Sequence, residues 1–122
     1  MRKIEKEVIG AFINGDTKAM GNTTSVRNPV TRDLDLLLHG NRIATISNRD
    51  GVKKLWVSNA GWPTRTTQSR LNALLTLAKV PARVYTRGKD DGGGALQWLS
   101  NGNGAPVNLT TLRNAAYLVS EK

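Results

Sequence analysis

The sequence predicts an α+β protein, one domain spanning 1–122 in which an antiparallel sheet of about five strands packs against two or three helices. Three observations lead to this class. Residues 33–58 alternate apolar and polar positions between turn-forming segments, the two-residue period of strands. Leu71, Leu74, Leu75 and Ala78 recur at the spacing of one helix face and run into Pro81. With 122 residues the chain is long enough to bury one core and too short for two.

Ile4, Val8, Ile9 and Phe12 fall on one face of a first helix, with Lys and Glu between them and Gly15 at its end. Gly21 to Pro29 is rich in Asn, Thr and Ser and reads as a loop carrying a short strand at Thr23 to Arg27. Leu34, Leu36 and Leu38 then line one side of a strand, His39-Gly40-Asn41 supplies a turn, and Arg42 to Ser47 returns. Asn48 to Gly51 is a second turn, its Asp-Gly end suited to positive φ, and Val52 to Ser58 is a third strand with Leu55 and Val57 on one face. The clearest helix starts near Thr64 to Thr67 and stops before Pro81, which cannot continue it and pushes Val80 toward extended geometry. Ala82 to Arg87 and Ala95 to Ser100 alternate as strands around the Lys89 to Gly94 tip. Asn101 to Gly104 forms a turn, and Leu109 to Val119 fits either a last helix or a strand with a tail.

The formal charge of +9 is concentrated. Residues 51–89 carry eight Lys or Arg and no acid, while the other 83 residues hold ten bases against nine acids. A block this one-sided favours a polyanionic partner, most often the phosphates of nucleic acid or of a nucleotide. Cysteine is absent, which excludes disulfides and thiolate metal sites and fits a reducing compartment. The first residues lack the apolar core of a secretory signal, and the longest apolar runs fall far short of the roughly 20 residues a bilayer span requires. No membrane partner is expected.

Within the basic block, Trp62 and Pro63 lead into Thr64, Arg65, Thr66, Thr67 and Arg70 at the start of the leucine-bearing helix. First turns favour Asp or Glu because their backbone N–H groups leave a partial positive charge, yet this one offers bases. An anion bound at those N–H groups, completed by threonine hydroxyls and guanidinium groups, would remove the conflict. The structural alternative is a threonine N-cap, with Trp62 and Pro63 packed over the helix start and the arginines solvated.

Two segments carry a family resemblance. Leu38-His39-Gly40-Asn41-Arg42-Ile43-Ala44 and Gly61-Trp62-Pro63-Thr64, followed by Thr66-Thr67-Gln68-Ser69-Arg70-Leu71-Asn72-Ala73-Leu74-Leu75, resemble small proteins of tailed bacteriophages. In these an LHGNxIA hairpin precedes a GWxTxTT(K)xRLNALL helix. The resemblance covers about Leu38 to Arg87 and implies a phage origin and the host cytoplasm. The family carries no assigned activity, so it transfers no catalytic residue. Gln68 stands where the pattern has Lys, and the Leu96 to Lys122 region is longer than usual for it.

Strand parity puts Arg83, Tyr85 and Arg87 on one face and Val84 and Thr86 on the other. An aromatic ring between two guanidinium groups suits stacking on an unpaired base with phosphates on either side. The alternative is that Tyr85 packs on the sheet while its arginines bridge Asp33 or Asp35. Trp56 faces away from Leu55 and Val57, toward solvent, and Trp98, which shares a face with Leu96, is assigned to the core.

His39 is explained by its Gly-Asn turn rather than by catalysis, and Asp33 with Asp35 gathers too few acids for a Mg²⁺ nuclease. There is no Walker sequence, nucleophile elbow or metal-ligand cluster. The expectation is a non-enzymatic protein without cofactor or metal that binds nucleic acid through a basic face, the strand type left open. Arg65, Arg70, Arg83 and Arg87 are its phosphate contacts, Lys53 and Lys54 extend the track, and Trp62 and Tyr85 stack. One alternative is capture of a small phosphorylated or cyclic nucleotide at Thr64 to Thr67. Another is docking on an acidic host protein, where charge steers association.

Overall fold

The alternating stretch at 33–58 forms the centre of a six-stranded antiparallel sheet in the computed structural model, which describes residues 1–49, 51–100, 104–112 and 117–121. The chain passes through a π-helical turn (Glu5–Ile9), α1 (Gly10–Ile13), β1 (Lys18–Met20), β2 (Thr23–Arg27), β3 (Leu34–Leu38), β4 (Asn41–Arg49) and β5 (Val52–Val57). It continues through α2 (Arg65–Leu77), β6 (Arg83–Lys89), β7 (Ala95–Ser100), β8 (Val107–Asn108), α3 (Leu109–Leu112) and β9 (Tyr117–Glu121). The large sheet has the order β1-β2-β3-β4-β5-β9, and β6-β7-β8 make a second, three-stranded sheet. The fold is α+β, as the patterning predicts.

The sheets are larger than the patterning predicts, because short elements carry little periodicity. Lys18-Ala19-Met20 has no alternation, yet it pairs with β2 and is tied back to the helical start by a Lys18–Glu7 bridge of 2.5 Å. The ambiguous Leu109 to Val119 stretch is both of its alternatives in turn, α3 and then β9, which adds a sixth strand beside β5. Asp50 and residues 101–103, parts of two expected turns, lie outside the described residues.

His39 and Gly40 have φ of 52° and 79°. Positive φ at both central residues is the two-residue hairpin turn whose twist matches its flanking strands, so His39 sits there for the turn. Beyond it the ladder slips: Leu37 pairs with Arg42 but Leu36 with Ala44. Ile43 is the extra residue of this bulge, and Ile43 and Ala44 are both buried as a result.

One core joins these layers. Val8, Ile9 and Phe12 from the helical start, Leu34 and Leu36 from β3, and Leu71, Leu74 and Leu75 from α2 are fully buried together, and Val84, Leu99 and Leu109 extend the cluster to the second sheet. The Asn72 side chain fastens β6 to α2: its Nδ2 donates to the Val84 carbonyl at 2.9 Å, and its Oδ1 accepts from the Val84 amide at 2.7 Å.

Arg70, expected to touch phosphate, is instead a core residue with 3% of its surface exposed. Thr67, Arg70, Leu71 and Leu74 follow the i, i+3, i+4, i+7 spacing of the buried face of α2, so its direction is set by the helix. Its Nη1 donates to Glu5 Oε2 at 2.9 Å, its Nε to Thr23 Oγ1 at 3.0 Å and its Nη2 to Asn22 Oδ1 at 3.3 Å. Ser69 Oγ adds a 2.5 Å bond to the same carboxylate, and the Arg2 amide one of 3.1 Å. A guanidinium engaged on three sides in the interior is not offered to a ligand.

Burial works to raise the Glu5 pKa, but the hydrogen bonds from Ser69, the Arg2 amide and Arg70, with the Arg70 charge, outweigh it and hold the carboxyl below its ordinary 4.5. A carboxyl lowered on folding stabilises the native state above its ordinary pKa, and this is lost as pH falls through the lowered value. Glu5→Gln leaves the Arg70 charge uncompensated and is expected to lower stability by about 3–5 kcal/mol at neutral pH in urea unfolding. The difference between variant and parent should narrow as the pH is taken below 4.5.

Candidate functional site

The two segments that carry the family resemblance meet at one pocket of about 310 Å³. Leu38, His39, Asn41 and Ile43 form the hairpin wall, and Asn59, Ala60, Trp62, Thr64, Thr66 and Thr67 form the wall opposite. The second wall is a held turn. Ser58 Oγ accepts from the Ala60 amide at 3.0 Å and Asn59 Oδ1 from the Gly61 amide at 2.9 Å, which keeps Ala60 and Gly61 at φ of 55° and 81°. Ala60 thus occupies a left-handed conformation that a residue with a Cβ adopts at a cost. Trp62 projects from this turn with 58% of its surface exposed.

Thr64 is the N-cap of α2, its Oγ1 accepting from the Thr67 amide at 3.1 Å, and the Thr67 hydroxyl lies 3.0 Å from the Thr64 hydroxyl. The structural alternative therefore holds for Thr64, which caps the helix, and Thr67 is the buried residue whose amide it caps. The Arg65 and Thr66 amides donate to no described group, as first-turn N–H groups commonly do, and of the two only Thr66 lines the pocket. The Arg65 side chain points to solvent. The lining contains no Lys or Arg, so an anion there would be met by amides and hydroxyls, with Trp62, Leu38 and Ile43 offering apolar surface.

The C-terminal part of the chain braces the second wall through Asn59 and Thr64. Gln97, fully buried, donates from Nε2 to the Thr64 carbonyl at 2.8 Å and accepts from Asn59 Nδ2 at 3.2 Å. Thr110 Oγ1 accepts from Asn59 Nδ2 at 3.3 Å and from the Gln97 amide at 2.8 Å. The hairpin wall also reaches the buried ion pair, since His39 Nε2 lies 3.4 Å from Asn22 Nδ2 and Asn22 Oδ1 accepts from Arg70.

The remaining expected site residues are distributed over several surfaces. Lys53 borders a cleft with Ile13, Leu77 and Lys79 at the far end of α2 from Arg65, about 20 Å of helix away. Lys54 has the opposite parity and points with Trp56 to the other face of the large sheet. Arg83, Tyr85 and Arg87 do share the outer face of the second sheet, with both arginines exposed and Tyr85 half-buried. Asp33 and Asp35 are not their partners: Asp33 pairs with Arg49 at 3.3 Å, and Asp35 accepts from Thr45 and Asn28.

Trp98 is not a core residue. It pairs in register with Tyr85 and lies half-buried on the same outer face, while Val84, Leu99 and Gln97 point inward. The assignment by hydrophobicity fails because the polar Gln97 is the inward residue, satisfied by Thr64 and Asn59. Trp98 Nε1 donates to the Arg87 carbonyl at 2.9 Å, at a bulge between Thr86 and Lys89 where Gly88 has φ of 78°. The pocket residues His39, Asn41, Ile43, Asn59 and Ala60 are also absent from the expected set. The signal for most of them was the pairing of the two segments itself.

A family model described as the Kyanoviridae Gp96 protein matches residues 1–90, which is 90 of the 122 residues. The chain belongs to this family of bacteriophage proteins. No curated protein and no solved structure matches it. The family match contains both pocket walls and ends at the β6–β7 turn, so β7 and α3, which carry Gln97 and Thr110 to their bonds with Asn59 and Thr64, lie beyond it.

Gln97→Leu removes the partner of a buried amide and is expected to destabilise by about 1–3 kcal/mol, measured by urea unfolding.

Proposed function

We propose that this phage protein binds nucleic acid in the host cytoplasm and catalyses no reaction on it. The observation that carries the reading is the pair Arg83 and Arg87, exposed on either side of Tyr85 and without an acidic partner among the described residues. Arg70, Arg49 and Lys18, by contrast, are each neutralised by a carboxylate. Two unpaired guanidinium groups roughly 13 Å apart along a strand suit successive contacts to a phosphate backbone.

Fluorescence anisotropy of labelled DNA and RNA across a salt series tests this. Affinity should fall steeply with salt, and the double change Arg83→Gln and Arg87→Gln should weaken binding and reduce the salt slope by about 2. Absence of binding at low salt would refute the reading.

The pocket favours a second reading, capture of a small phosphorylated nucleotide, because Thr66, whose amide is open, lines it together with the exposed ring of Trp62. In that case Trp62→Ala should lower nucleotide affinity by about tenfold or more in equilibrium titration, while Arg83→Gln and Arg87→Gln leave it unchanged.

A further inference from the structure

Tyr85 and Trp98 face each other across the β6–β7 ladder, and directly opposed side chains on one sheet face have their Cβ atoms about 5 Å apart. Their rings form one aromatic patch between Arg83 and Arg87. The indole is held rather than free: its Nε1 is bonded to the Arg87 carbonyl, which the bulge at Gly88 makes available. A ring fixed in this way loses little freedom when something stacks on it.

We infer that the nucleic acid held on this face is single-stranded and that Trp98 and Tyr85 are its stacking platform; this rests on the nucleic-acid reading above. In a duplex the bases are stacked on one another and present only their edges in the grooves. A flat face of a sheet carrying ring surfaces has nothing to read there. Unpaired bases offer their π faces, and a strand laid along β6 brings its phosphates to the arginines on either side. Charge limits the surface at one end, where Asp90 and Asp91 occupy the β6–β7 turn beyond Lys89. The strand therefore leads from Arg87 toward Arg83 and Ser100, the partner of Arg83 in the ladder.

The test compares labelled oligothymidylate, oligouridylate and a mixed-sequence duplex by anisotropy at low salt. Single strands should bind at least about tenfold more tightly than duplex, and Trp98→Ala should weaken them by roughly ten- to one hundred-fold. Trp98→Leu, which keeps apolar bulk, should weaken them similarly, and Trp98→Phe should retain most of the affinity. Circular dichroism melts identify variants that have lost their fold, and the Leu and Phe pair separates stacking from packing. If the Trp98 variants bind like the parent while Arg83→Gln and Arg87→Gln weaken duplex and single strand alike, the inference is overturned and the nucleic-acid reading stands. If no polymer binds, both fall.

Discussion

Glu5 and Arg70, 65 positions apart in sequence, form the buried ion pair on which the arrangement of the helices depends. The other partners of Arg70 are Thr23, which begins β2, and Asn22 just before it, so one guanidinium fixes the helical start, the second strand and α2 relative to one another. Taking two charges out of water costs several kcal/mol each, and this is offset only when the remaining donors and acceptors are met. Here they are: among the described residues no buried side-chain polar atom lacks a partner. The influence reaches the pocket, because Arg70 lies one to two turns from the α2 N-terminus and Asn22 touches the hairpin turn at His39.

The same pair changes the meaning of the charge block. Composition sets a positive field, since eight bases without an acid create one whatever the fold. It does not identify a face. Adjacent strand residues point to opposite sides, so Lys53 and Lys54 cannot join one track, and a helix about 20 Å long separates Arg65 from the cleft at Lys53. What the fold does bring together is a smaller set of groups on two separate surfaces, the motif pocket and the outer face of the second sheet.

Much of the architecture was legible because local signals agreed with the tertiary result. Alternation with turn residues marked β3, β4 and β5, and the leucine spacing with a threonine cap marked α2. The failures have specific causes. The charge of Arg70 suggests the surface, although its position among Thr67, Leu71 and Leu74 on the helix face points it inward. The hydrophobicity of Trp98 suggests the core, but the deciding residue is its neighbour Gln97, whose burial depends on partners 33 and 38 positions away. Strand β9 was only half legible, because a five-residue edge strand takes its identity from the strand it joins.

The amide of Asn72 bonds both the N–H and the C=O of Val84, which is the pattern a neighbouring strand would present. β6 lies at the margin of its sheet, and an unclosed margin is a template on which another chain can add. At Val84 that template is already occupied, by one side chain acting as a single-residue strand. A strand adding there would have to displace Asn72 from both bonds, so the edge of this sheet is blocked at Val84 by the helix packed against it.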